Sequence, residues 1–276
     1  MKYFVSTINY SPYMKENISD VVPEMIDNGI KNIEISSFHP YEENLDLKKY
    51  KADILLHNFA PPTKKDFLIN LCGEEIGEIS EKFIKYRIIQ TKHLGQDYYS
   101  FHAGFRVNQL QTFSKDKNAI EKRLAMNRFI DRLGRIVKFA EEQKIHIGVE
   151  NHCCIRQNKD NLILYETNDW DELFSRIDSR YLHLHLDIGH LKISSTENDF
   201  DPNEFLDAFG HKVKAVHVHD NTGWKVDSHA PFNNDFWFKE HHWRFLNNLD
   251  YVILETKTYK DLELINYMID FMDDEI

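Results

Sequence analysis

Eight short apolar runs alternate with amphipathic segments along nearly the whole chain, and this rhythm limits the possible folds more than any other feature. The runs occupy 3–8, 32–36, 54–58, 98–102, 145–150, 182–187, 213–219 and 251–255. They are rich in β-branched and aromatic side chains, as strands are. Helical patterns fill the intervals at 19–28, 46–51, 74–93, 120–143, 169–177, 202–209, 234–249 and 261–272. Within 120–143, for example, Leu124, Ile130, Leu133, Val137 and Ala140 recur at helical spacing. Strands joined by crossover helices pair in parallel through right-handed connections. Eight of them close most economically into an α/β fold, a (β/α)8 TIM barrel. An open doubly wound sheet is the alternative, but no Gly-rich nucleotide loop follows the first strand. With 276 residues, no Pro/Gly/Ser-rich linker and no internal repeat, one barrel domain over 1–276 is expected.

In a parallel barrel the C-terminal strand ends carry the site, and alternate residues of a strand share a face. The third and fourth runs end at His57 and His102. In the fifth, His146, Gly148 and Glu150 share a face. In the sixth, leucines face the helices while His183, His185 and Asp187 face inward. The seventh directs His217 and His219 inward, and the eighth ends with Glu255 on the face of Ile253. Six consecutive strands thus bring His57, His102, Glu150, Asp187, His217 and Glu255 to one end. Carboxylates packed together repel and raise one another's pKa, and a divalent cation relieves that repulsion. Two Glu, one Asp and imidazole suit Mn, Co, Mg or Zn, and no organic cofactor is expected.

Each residue alone also has a purely structural reading. A strand-end histidine such as His57 or His102 is commonly a hydrogen-bonded framework residue. Asp187 precedes Ile188-Gly189-His190 and would serve as a helix cap. His146, His183 and His185, deeper on their strands, read as polar packing, and His241 and His242 as exposed on a helix. Adjacent Cys153 and Cys154 are a weak metal set. The coincidence of six such residues at equivalent strand ends, rather than any one of them, is what indicates a site.

Charge narrows the partners. The 34 Lys and Arg against 45 Asp and Glu give −11, which argues against nucleic acid. A mean hydropathy of −0.55 and the lack of a long uncharged apolar run argue against a membrane span. The first nine residues lack the apolar core of a signal peptide. Three cysteines (Cys72, Cys153, Cys154) form no disulfide framework. The expectation is a soluble, cytoplasmic protein, and surface aromatics would fit a homodimer.

Four segments carry a resemblance: Val149-Glu150-Asn151-His152, Leu186-Asp187-Ile188-Gly189-His190, His217-Val218-His219-Asp220-Asn221 and Asp227-Ser228-His229-Ala230-Pro231. With His57 and the later Phe67-Leu68-Ile69-Asn70-Leu71, His102-Ala103-Gly104 and Leu254-Glu255-Thr256, they resemble the sugar phosphate isomerase/epimerase family. That family has the xylose isomerase-like barrel and is related to the endonuclease IV family of abasic-site nucleases. The resemblance implies a shared metal held by Glu150, Asp187, His217 and Glu255. It also implies that Glu150 and Glu255 act as acid and base on opposite faces of the substrate carbon, through an enediolate. His190 would contact substrate or a further metal. In the nuclease relatives His57, His102, His190, Asp227 and His229 would complete a three-zinc cluster. This chain departs from the pattern at Phe232-Asn233-Asn234, where relatives carry a Gly-rich turn. Its 221–225 stretch is also shorter than the nuclease counterpart, with no Arg-rich insertion.

The function expected is therefore a metal-dependent isomerase or epimerase of a small sugar, keto-sugar or sugar phosphate. The alternatives are a multi-zinc phosphoesterase of the endonuclease IV type and a barrel that binds a metabolite without catalysis. Candidate substrate contacts are His190, Lys257, Arg106 and Trp224, with Arg156 as a further anion partner. Phe105, Trp224, Phe232 and Trp237 are candidate aromatics for a sugar face.

Overall fold

The computed structural model describes all residues except 12–15, 38, 65–67, 109–118, 224, 247–248 and 276. Strands β1 (Lys2–Ser6), β2 (Asn32–Ile35), β3 (Asp53–His57), β4 (Tyr98–His102), β5 (His146–Glu150), β6 (Leu182–Asp187), β7 (Val213–Val218) and β8 (Tyr251–Leu254) follow the alternation in the sequence. They pair in chain order, all parallel, and β8 closes on β1, with Lys2 level with Tyr251. The closed barrel expected from the sequence is the fold observed.

The helices wrap the outside: α1 (Ile18–Asp27), α2 (Glu75–His93), α3 (Lys122–Gln143), α4 (Thr167–Arg176), α5 (Ile188–Asn198), α6 (Pro202–Phe209), α7 (Glu240–Trp243) and α8 (Leu262–Glu275). Leu182, Leu184 and Leu186 of β6 join the core between sheet and helices, with Phe129, Leu133 and Ile136 of α3. Helix α3 begins where the Glu121 carboxylate accepts hydrogen bonds from Arg123 N and Leu124 N.

Inside the barrel the lower layer is apolar, formed by Phe4, Leu55, Tyr98, Ala215, Tyr251 and Ile253. The Tyr98 and Tyr251 rings stack at 5.2 Å. Gly148 makes room for this layer, because a Cβ there would lie 1.9 Å from the Tyr98 hydroxyl. The apolar plug seals the N-terminal half of the barrel and leaves the polar inward residues gathered above it. A register shift between Leu184 and His185 against β7 brings Asp187 level with His217.

Several local expectations need correction. Beyond the cap offered by Asp187, helix α5 has no signal in the sequence: its residues are buried on nearly every side, so no amphipathic period marks it. The expected helix at 234–249 contracts to α7. Asn233 accepts from Asp235 N there, and Phe232 stacks on Phe236 at 4.4 Å, so aromatic packing and an Asn turn replace helical hydrogen bonds. The 46–51 pattern yields one 3-10 turn, Leu47–Lys49. Ser19, expected to cap the first helix, lies inside α1, whose cap position is Asn17, and Ser19 N donates to the Glu42 carboxylate. His242 is buried rather than exposed, with Nδ1 3.1 Å from Asn203 Oδ1, because it packs under Trp237 and Phe238. The His241 side chain lies outside the described residues.

Candidate metal centre at the barrel mouth

The strand ends bring the sequence-predicted side chains into one buried cluster. Glu150, last in β5, stands level with His102 of β4 and His185 of β6. Its Oε2 lies 3.3 Å from His57 Nε2, and its Oε1 lies 3.4 Å from His102 Nδ1 and 3.2 Å from His190 Nδ1. Neither oxygen has a hydrogen-bond partner among the described residues, although the side chain is fully buried. His217 Nδ1 lies 2.9 Å from Glu255 Oε2, 3.7 Å from Glu150 Oε2 and 3.9 Å from Asp187 Oδ2. One imidazole nitrogen therefore faces all three carboxylates of the predicted four-residue set.

Asp187 is held from both sides. Asn151 donates from Nδ2 to Asp187 O at 3.0 Å and accepts from Asp187 N at 2.8 Å, extending the β5–β6 pairing through a side chain. Asp187 Oδ1 accepts from His190 N at 2.7 Å, which caps α5, and lies 3.0 Å from His219 Nε2. His190 Nε2 and His229 Nε2 approach Asp227 Oδ2 at 3.1 and 3.3 Å. The loop carrying Asp227 and His229 is pinned by a two-residue bridge, Asp220 to Ala230. His229 itself has φ +49°, in the left-handed region that few residues other than glycine enter. All nine predicted ligand positions thus stand around one mouth.

The electrostatics follow from burial with pairing. Burial opposes ionisation of Glu255, yet His217 and His229 beside it hold its carboxyl at about 2. Asp187, next to His190 and His219, is likewise driven below the usual carboxylate range against the cost of burial. Burial disfavours charge on His217, but Glu255 and Glu34 hold its pKa well above the ordinary histidine value. His229, also buried, is raised to about 9 by Asp227 and Glu255. Burial and the neighbouring imidazoles of His217 and His102 push His57 the other way, well below the ordinary value. Protons on imidazoles here balance carboxylate charge, a balance that a cation would also supply. The donor set fits one: triples such as His57, His102 and Glu150, or Glu150, His185 and His217, have ligand atoms within 4.8 Å of one another.

Three residues of the cluster escaped the sequence reading. Glu34 of β2 is buried, with Oε2 3.1 Å from His217 Nε2. Its inward position was available from the alternation of Asn32-Ile33-Glu34-Ile35. His219, read as inward but assigned no role, lies against Asp187, and its ring stacks on His229 at 4.2 Å. His185, read as packing, bonds Tyr98 through Nδ1 at 2.9 Å, while its Nε2 is buried without a hydrogen-bond partner among the described residues. His146 and His183, by contrast, pair with each other at 2.8 Å toward the opposite end of the strands.

The predicted substrate contacts are less concentrated. His190 is in the cluster, and Lys257 N donates to His229 O at 2.8 Å. Arg106 Nε donates to Ile120 O at 2.8 Å and Arg156 Nε to Glu197 O at 2.9 Å, so both guanidinium groups tie loops together. Trp224 and Phe67 lie outside the described residues. Phe232 is buried against Phe236 and Phe271, Trp237 packs on the outer core, and Phe105 lies 4.9 Å from the His152 ring.

The model of a family described as the xylose isomerase-like TIM barrel matches residues 4–274. No curated protein matches the chain in sequence. Among solved structures, a D-tagatose 3-epimerase-like protein superposes with a TM-score of 0.72 at 19% identity, covering 99% of each chain. The IolI protein with a binding zinc atom gives 0.70 at 16% identity, covering 99% of this chain and 97% of that one. An AP endonuclease, family 2, from Brucella melitensis gives 0.67 at 12% identity, covering 100% of this chain and 99% of that one. These structural likenesses are of fold.

Proposed function

The chain belongs to the xylose isomerase-like TIM barrel family, and from that premise we propose that it is a metal-dependent isomerase or epimerase of a small sugar, keto-sugar or sugar phosphate. The observation that carries this reading is Glu150, fully buried with both oxygens lacking hydrogen-bond partners among the described residues. An unsatisfied buried carboxylate is costly, and a cation at the mouth removes that cost. Glu150, Asp187, His217 and Glu255 would hold it. When bound, a divalent cation acts as a Lewis acid on the substrate carbonyl oxygen and acidifies the neighbouring C–H.

The remaining work falls to the protein. Glu255, ionised between His217 and His229, is in the form that takes a proton from that carbon. The electron pair of the broken C–H bond delocalises onto the carbonyl oxygen. Glu150, on the other side of that carbon, relays a solvent proton to the opposite face, which inverts the centre. Delivery to the adjacent carbon isomerises the sugar only when the hydroxyl proton of the first carbon also passes to the former carbonyl oxygen. His190, buried beside both Glu150 and Asp187, orients the substrate hydroxyls.

Proton exchange with solvent tests this directly. Ketoses and ketose phosphates are incubated in D2O with the protein and Mn(II) or Co(II), and the C–H signals beside the carbonyl are followed by NMR. The expected result is deuterium uptake together with a new epimer or isomer. Glu150→Gln and Glu255→Gln should each lower the rate by about 10²–10⁴-fold, the usual scale of acid–base catalysis, while keeping the wild-type circular dichroism. Near-wild-type exchange in either variant contradicts the two-glutamate scheme.

A second reading has its own support. His219, Asp227 and His229 form another set of donors within 4.8 Å, separate from His57, His102 and Glu150. Clustered cations suit in-line phosphoester displacement. The charge of −11 weighs against DNA as the ester, since phosphate contacts dominate DNA affinity. Cleavage of an abasic duplex at low salt, without deuterium exchange on any ketose, would favour this reading.

A further inference from the structure

We propose that Glu34 is a positioning residue that fixes the ring of His217 with Nδ1 directed at the metal position; this rests on the metal-dependent reading above. Glu34 lies on β2, opposite β6 in the closed barrel and outside the β5–β8 arc that supplies the four assigned ligands, and is 1% exposed. Its Oε2 is 3.1 Å from His217 Nε2. The other oxygen, Oε1, has no hydrogen-bond partner among the described residues, so His217 is the group this buried carboxylate serves. The opposite ring nitrogen, Nδ1, is the one that faces Glu255, Glu150 and Asp187 at 2.9, 3.7 and 3.9 Å.

The chemistry follows from the imidazole. In its neutral form one nitrogen carries hydrogen and the other a lone pair, and a carboxylate accepts hydrogen from the first. With Glu34 accepting from Nε2, the lone pair stands on Nδ1, among the three carboxylates. A carboxylate behind a ligating histidine fixes its tautomer and raises its basicity. Packing reinforces the choice: the His185 and His57 rings lie 4.1 and 4.9 Å from the His217 ring, both edge-on, and resist its rotation. Glu34 thereby holds a ligand that it does not join.

Co(II) affinity of the full chain, stripped of metal and titrated by its visible absorption, tests the assignment. Glu34→Ala should weaken Co(II) binding by about 10–100-fold, the usual loss when such a partner is removed. Glu34→Gln still accepts from Nε2 through its amide oxygen but lacks charge, so its affinity should fall between Ala and wild type. Thermal unfolding of the metal-free forms is measured in parallel. A merely structural Glu34 would lower the melting temperature and leave the affinity of the folded chain unchanged. Wild-type affinity in both folded variants overturns the assignment while leaving the metal reading intact. If Glu34→Ala does not fold, Glu34→Gln decides by the same criterion: weaker binding supports the assignment and equal binding overturns it. A wild-type chain that binds no Co(II) overturns the assignment and the metal reading together.

Discussion

Asp187 holds two positions at once: it caps α5 through His190 N at 2.7 Å and stands among His190, His217 and His219 in the cluster. The capping reading is borne out, and it does not exclude the site reading, because the same carboxylate lies inside the cluster. The same crowding makes the metal-free protein sensitive to pH. His229 is buried, but Asp227 and Glu255 raise it from 6.5 to about 9, so its contribution is complete below 6.5 and disappears as pH rises through about 9. Glu255, also buried, is lowered from 4.5 to about 2 by His217 and His229, so its contribution is complete above 4.5 and disappears as pH falls through about 2. Against these, His57, His152 and His183 are held neutral by burial, so their contribution is complete above 6.5 and falls away at lower pH. Chelator-treated protein should therefore melt highest near pH 6.5 and lose melting temperature toward pH 9 and toward pH 4.5. Circular dichroism melts across that range check this; a flat profile from 6.5 to 9 would show that these pairs do not stabilise the fold. Metal binding should also release protons, since the imidazoles must give theirs up to ligate.

Helix α5 begins against the site, and Gly189 in its first turn sets how close it comes. A Cβ at Gly189 would lie 2.1 Å from His219 Cε1, so the side chain most tightly held by Asp187 would have to move. Gly189→Ala should destabilise the protein by about 1–3 kcal/mol, the usual cost of forced overpacking, and lower its capacity for metal. Chemical denaturation measures the first effect; unchanged stability would mean that His219 has room to shift. The elements also show what the sequence could reveal. Strands β5 and β6 were readable because inward polar residues alternate with outward leucines, valines and isoleucines, which gave Glu150 and Asp187 their face; His217 and Glu255 followed by continuing the alternation past the inward Ala215 and Ile253. The same alternation gives the inward position of Glu34, but it stands below the strand-end layer that marks the site in the sequence, so its place beside His217 was not legible. Beyond its cap at Asp187, helix α5 lacked a signal because burial all round removes amphipathic contrast, and aromatic loops such as Phe232–Phe238 have no periodicity to read.

At the scale of the molecule, the cluster ties together staves that are distant in sequence, from Glu34 on β2 to Glu255 after β8. No described helix is long and apolar enough to cross a membrane. A cation bridging Glu150, Asp187, His217 and Glu255 would join β5 through β8 and act on the whole barrel, because a ligand that binds only the folded state stabilises it. At a free concentration about a hundredfold above Kd the gain is about 2.7 kcal/mol. For a chain this long that should raise Tm by about 5–10 °C, and EDTA should reverse it. The central claim is that the mouth is a metal centre. Its most direct test is elemental analysis of protein purified without chelator or immobilised nickel, with Asp187→Asn alongside. The account predicts a stoichiometric divalent metal, Mn, Co, Mg or Zn, in the wild type and its loss in the variant. Metal-free wild-type protein that also takes up none of these ions on dialysis would contradict it.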